Sequence, residues 1–230
     1  MKFQKQILLE SLKKKGFSSE ILQTFSKVKR EDFIPKEIKK YAYEDISLPI
    51  GDGQTISQPY TIAMMFSLLE LKKGQKVLEI GSGCGYVLAL LSEILGYKGE
   101  VYGIEIVKEL AEKSKRNLKE YKNVKVYNKN GRLGLGENVR FPRRQLEIAQ
   151  PRQEGKSKKT MGCLYFDAIL ISARNKEIPE KLVLQLKNNG IIVAPIGNNY
   201  VQSLTAFKKI KGKLKLRKEI PGFVFVPLVD

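Results

Sequence analysis

The spacing of apolar residues changes along this chain, and the changes divide it into elements. In residues 2–15, Phe3, Ile7, Leu8 and Leu12 recur at helical spacing, and Gly16 closes the segment. Ser18 or Ser19 can cap a second helix that runs through Phe25, and Val28–Pro35 begins a third short helical piece. Tyr41 to Ser57 has no clear period but several turn residues (Pro49, Gly51, Asp52, Gly53), which predicts an ordered loop. Pro59 suits a first helical turn, so a helix from Pro59 to about Leu71 is expected.

Beyond Leu71 short apolar runs alternate with stretches of helical length. Val77, Leu78 and Ile80 read as a buried strand, and Tyr86–Leu95 as a helix that is apolar on most of its surface. A strand at Glu100–Ile106, a helix at Val107–Tyr121 and a strand at Val124–Asn128 follow, then a strand at Phe166–Ile171, a helix at Pro179–Leu186 and a strand at Ile191–Pro195. Strands at Ser203–Lys209 and Phe223–Pro227 close the series, and Lys211–Arg217 alternates basic with apolar residues as a half-exposed strand would. The pattern predicts an α/β fold: a doubly wound sheet, mostly parallel with a late antiparallel strand, preceded by N-terminal helices. Arg132 to Tyr165 breaks the alternation. It is long, polar and basic, and reads as a disordered insertion or a functional flap.

Composition narrows the class. The 230 residues suit a single domain, with residues 1–57 as a helical and loop extension packed on the site. No apolar run is long enough to span a membrane and no secretion leader is visible, so a cytoplasmic protein without membrane partners is expected. Cys84 and Cys163 have neither metal-ligand spacing nor a disulfide framework, so no metal is expected. The absence of histidine excludes imidazole chemistry. The net charge of +18 is concentrated before residue 40, at Arg140–Lys159 and at Lys208–Lys218. It reads as a Lys-rich surface, with nucleic acid or acidic partners as the alternative.

The candidate chemistry lies at Gly81, Gly83 and Gly85, which join a strand to a helix and let backbone approach a ligand closely. Their spacing is tighter than the dinucleotide fingerprint. Glu105 ends the next strand, roughly twenty residues on, where a carboxylate can accept ribose hydroxyls. Asn130 and Gly131 follow the third strand on the same edge. This set suits a nucleoside without phosphates, with glycines at its amino-acid part, Glu105 at its ribose and Asn130 near its adenine; S-adenosylmethionine fits. The alternatives are a generic α/β turn and a solvated strand-end acid.

Ala42–Tyr60, containing Gln54-Thr-Ile-Ser-Gln-Pro59, followed by Val77–Tyr86, resembles the protein-L-isoaspartate O-methyltransferase family. Phe33–Pro35, Phe166–Ile169, Ile178–Pro179, Gln185–Lys187, Pro195–Gly197 and Phe225–Leu228 continue the likeness in order. The glycine turn marks only a class I methyltransferase with a Rossmann-like sheet; Gln54–Pro59 is specific to the family. The resemblance implies methyl transfer from S-adenosylmethionine, giving S-adenosylhomocysteine, to the α-carboxylate of L-isoaspartyl residues in aged proteins and peptides. It implies that Ser57 is the active-site serine, that Thr55, Ile56 and Ser57 meet the substrate, and that Thr55 and Ser57 also lie beside the methyl donor. It places Glu79, Gly81, Gly83, Gly85, Glu105, Asn130 and Gly131 around the cofactor. A helix cap ahead of Pro59 is the alternative role for Ser57. A monomer is expected. Two departures stand out: Asn130-Gly131 replaces the family's usual Asp-Gly, and the family joins the flanks of Arg132–Tyr165 with far fewer residues. Two competing functions remain, a nucleic-acid methyltransferase on this fold and an inactive binding paralogue.

Overall fold

The computed structural model describes residues 1–136 and 164–228. The basic residues Arg143, Arg144, Arg152, Lys156, Lys158 and Lys159 of the insertion, and Cys163, lie outside the described residues.

The helices are α1 Lys2–Lys14, α2 Ser19–Lys27, α3 Pro59–Leu69, α4 Tyr86–Leu95, α5 Lys108–Asn117 and α6 Glu180–Gln185. The strands are β1 Leu48–Gly51, β2 Gln54–Ile56, β3 Lys76–Ile80, β4 Glu100–Glu105, β5 Val124–Asn128, β6 Phe166–Ile171, β7 Leu186–Gly197, β8 Gln202–Ile210 and β9 Lys213–Pro221. Ser18 caps α2 by accepting from the Ile21 N–H. Pro59 occupies the first turn of α3, where its missing N–H removes no bond.

Seven strands form one sheet in the order β5-β4-β3-β6-β7-β8-β9. The first five are mutually parallel, while β8 and β9 run antiparallel. Strand order reverses between β3 and β6, and the crevice at their carboxyl ends is where such sheets bind ligands. Both faces of the sheet are covered. Val77, Val101, Ala168, Leu170 and Val193 face a core shared with the N-terminal helices and α4, while Leu78, Ile80, Ile169, Ile171 and Ile192 face the α6 side. This alternation follows from the two-residue period of a strand.

Three expectations need correction. The segment expected as a loop before Ser57 contains an antiparallel hairpin, β1–β2. Asp52 and Gly53 form its two-residue turn with φ of 52° and 69°, the doubly positive combination that matches strand twist. Phe223–Pro227 is no strand, because side chain and loop backbone take its hydrogen bonds. Gln202 Nε2 donates to the Phe225 carbonyl and Gln202 Oε1 accepts the Phe225 N–H, while Arg174 N–H donates to the Val226 carbonyl. The antiparallel part therefore consists of β8 and β9, and β9 is an outer edge on which Lys213, Lys215, Arg217 and Lys218 are exposed. Finally, the start of the expected insertion is structured. Gly131–Leu133 is a 3-10 turn, and the Gln185 amide bonds both the Leu135 N–H and the Leu133 carbonyl.

Candidate active site

The turn after β3 is built by backbone first. The Gly81 and Ser82 N–H groups both donate to the Ile104 carbonyl, at 2.8 and 3.1 Å, so the chain leaves β3 tied to β4. Gly85 N–H donates to the Ser82 carbonyl at 2.9 Å, and the Asn117 side chain holds the Cys84 carbonyl at 3.0 Å. Gly85 has a φ of 88°, and a Cβ there would stand 2.5 Å from Ser114 Oγ and 2.7 Å from the Leu118 side chain. Its lack of a side chain lets the turn pack on α5. It is not among the residues lining the small cleft described below, and neither are Glu105, Asn130 and Gly131.

Glu79 lies on β3 with 1% exposure. Ser172, one residue past β6, donates its hydroxyl to Glu79 Oε1 at 2.7 Å, while Oε2 has no hydrogen-bond partner. Burial pushes this carboxyl up to about 8; the Ser172 hydroxyl opposes that rise and the Glu105 charge adds to it. Glu105, also buried, accepts the Gly83 N–H at 2.7 Å through Oε2 and the Val107 N–H at 2.9 Å through Oε1. It braces the glycine turn, and each oxygen retains a lone pair for another donor.

Asn130 caps the 3-10 turn by accepting the Arg132 N–H at 2.9 Å. Gly131 is buried against Ile80, whose Cγ2 would be 2.3 Å from an added Cβ. The pair therefore sits beside the carboxyl end of β3. Asn128 Nδ2, which sequence reasoning did not single out, donates to the Glu105 and Ile106 carbonyls and fixes the neighbouring strand end.

The hairpin folds over this turn. Ile50 reaches Gly83, where a Cβ would be 3.0 Å from Ile50 Cδ1, and the Lys113 ammonium donates to the Ile50 carbonyl at 3.2 Å. Thr55, Ile56 and Ser57 then line one small cavity, of about 30 Å³, together with Glu79, Gly81, Ser82, Gly83 and Ser172. Ser57 is half-buried and does not cap α3. Asp45 serves that helix instead, accepting the Tyr60 N–H at 2.7 Å. Behind the loop Arg30 is fully buried and bonds four carbonyls, including that of Ser57. Sequence reasoning missed Arg30, which looked like one basic residue among many, and Ser172, which carried no motif signal.

A wider surface depression of about 980 Å³ lies at the opposite, amino end of β3 and β4, lined by Lys73, Lys98, Glu100 and Lys125 among others. It contains none of the residues above. In the smaller cleft two buried oxygens without partners, Glu79 Oε2 and Ser82 Oγ, lie at the glycine turn. Such a lining accepts a ligand that brings hydrogen-bonding groups, as the amino group of S-adenosylmethionine does.

The sequence profile described as protein-L-isoaspartate(D-aspartate) O-methyltransferase (PCMT) matches residues 3–152 and 163–230. A Fervidobacterium nodosum protein named protein-L-isoaspartate O-methyltransferase is 38% identical over 224 residues, covering 96% of this chain and 100% of its own length. A Petrotoga mobilis protein of the same name is 40% identical over 222 residues, covering 95% of this chain and 91% of its own. Among solved structures, a Plasmodium falciparum chain assigned to the same class, in complex with S-adenosyl-L-homocysteine, superposes with a TM-score of 0.76 at 29% identity. The match covers 96% of each chain.

Proposed function

We propose residue roles from one premise: this chain belongs to the protein-L-isoaspartate O-methyltransferase family. It is an S-adenosylmethionine-dependent enzyme that methylates L-isoaspartyl residues. S-adenosylmethionine, when bound, supplies an electrophilic methyl group on a positively charged sulfur.

In this reading Glu79, Gly81, Gly83 and Glu105 hold the cofactor, with Asn130-Gly131 at the far side of the β3 end and Thr55 near the donor. Thr55, Ile56 and Ser57 form the wall that meets the substrate. The α-carboxylate exposed by an isoaspartyl residue has a pKa of roughly 3.3–3.7, so it arrives as an anion and needs no base. The Ser57 hydroxyl donates to one carboxylate oxygen and leaves the other in line with the methyl carbon. Catalysis is then mostly positioning, and water is kept out by the hairpin that lies across the turn. The observation that carries this reading is that Ser57 shares its small cleft with Glu79, Gly81 and Gly83.

Repair of aged proteins in the cytoplasm is the setting we propose, supported by the buried, unpaired Cys84 thiol. We also propose a single-domain monomer. The test is Ser57→Ala. Methyl transfer to an isoaspartyl peptide falls about 10- to 100-fold, the worth of a hydrogen bond to a charged group, while S-adenosylhomocysteine affinity is retained. Undiminished turnover would discard the role.

A further inference from the structure

We infer that Arg30 is a positioning residue for the methyl-transfer reaction, setting the place of Ser57 through that residue's carbonyl. This rests on the reading of Ser57 given above. Arg30 lies in a short 3-10 turn, Arg30–Asp32, and is 0% exposed. One guanidinium nitrogen, Nη1, donates to the Ala42 and Glu44 carbonyls at 3.0 and 3.2 Å. The other, Nη2, donates to the Ile46 and Ser57 carbonyls, both at 3.0 Å. Four of the five N–H donors are thereby used, and Nε has no partner.

Among the described residues no carboxylate pairs with this cation. Its hydrogen bonds all go to carbonyl oxygens, and burial pulls the guanidinium below its ordinary value, with Asp45 among the groups that oppose the fall. Holding a cation this way serves a geometric purpose. Segment 42–46 and residue 57 belong to different stretches, separated by the β1–β2 hairpin, and Arg30 joins them at one point. The strand pairing of β2 ends at Ile56 and α3 begins at Pro59. Ser57 therefore lies in the short gap between two regular elements, where its carbonyl is fixed by Arg30. The Asp45 bond to Tyr60 secures the far side of that gap.

The same turn leads to the cofactor side. Phe33, which follows the 3-10 turn, meets the Tyr86 ring edge-on at 5.4 Å, and Tyr86 opens α4 directly after the glycine turn. Arg30 thus relates the substrate wall to a frame already packed on the glycine turn. Lysine cannot substitute. Its ammonium is a compact point charge with three donors, and it lacks the planar fork that spans four carbonyls.

The experiment compares wild type, Arg30→Lys, Ser57→Ala and the double variant. Steady-state methyl transfer to an isoaspartyl peptide is read beside S-adenosylhomocysteine affinity by calorimetry. R30K is expected to lower kcat about 10- to 100-fold, the scale of a displacement on the order of 1 Å, while cofactor affinity stays within about twofold. In the S57A background R30K should cost almost nothing more, because a misplaced hydroxyl and a missing one are equivalent. A merely structural role would lower both backgrounds equally, and that result overturns the inference. Wild-type kcat in R30K overturns it as well. If S57A itself retains full turnover, the reading of Ser57 fails first; an impaired S57A with an unimpaired R30K defeats Arg30 alone. Arg30→Gln, measured with saturating S-adenosylmethionine to favour the folded state, serves as the second variant. Failure of both variants to fold under that condition assigns Arg30 to the scaffold and overturns the proposal.

Discussion

Replacing Glu79 by glutamine should change how stability depends on pH, and the size of the change follows from its surroundings. The carboxyl is 1% exposed, receives one hydroxyl and leaves one oxygen without a partner. Its ordinary value of 4.5 rises to about 8 in the folded protein. The folded chain therefore keeps a proton that the unfolded chain has lost between those two values. The stabilising contribution is fully present below 4.5 and declines as pH rises through 8, above which it no longer changes. Integrated from about pH 5 to about pH 8, this single group costs the folded state about 3–4 kcal/mol. Glutamine retains the carbonyl that accepts from Ser172, matches the neutral acid in shape and cannot ionise. Urea unfolding of both proteins across that range isolates the group together with its coupling to Glu105, since titrations that do not feel Glu79 cancel in the difference. The stability of Glu79→Gln relative to wild type should grow by that amount from the acid to the alkaline end. Parallel curves would refute the picture of a buried, protonated Glu79.

Two further changes test neighbouring features. Gly85→Ala adds a methyl group 2.5 Å from Ser114 Oγ at a φ of 88°; overpacking and the left-handed backbone together should cost about 2–4 kcal/mol in denaturant unfolding. If Gly85 serves only the packing of the turn, the folded variant still binds S-adenosylhomocysteine, whereas a tenfold loss of affinity would place Gly85 at the cofactor. Asn130→Asp restores the acid usual in the family and makes any cofactor hydrogen bond charge-assisted, so calorimetry should register several-fold tighter binding. Unchanged affinity would remove Asn130 from the site.

What could be read in the chain was what short-range periodicity and motif spacing encode. Val77–Ile80 and the glycines after it announced the strand, turn and helix, and Ser57 was found through its Gln54–Pro59 context. The rest depends on partners distant in sequence. Arg30 belongs to a basic stretch that reads as surface charge, yet four carbonyls from residues 42–57 bury it completely. Phe223–Pro227 has strand composition, but Gln202, some twenty residues earlier, satisfies its backbone sideways and leaves no ladder to join. Asp52-Gly53 was a legible hairpin signal; the absence of flanking alternation hid it among other turn residues. Ser172 could not have been found from composition, because its importance comes from parallel pairing of β3 with β6, which sets its hydroxyl against Glu79.

The positive charge of the chain also gains a meaning from where it falls on the sheet. Among the described residues β9 is paired on one side only, and Lys213, Lys215 and Lys218 stand along it beside Arg217, which pairs with Glu70. A strand edge with unpaired N–H and C=O groups is a template on which another chain can pair. An incoming strand at β9 must crowd against a row of like charges and strip their water, so pairing there is resisted.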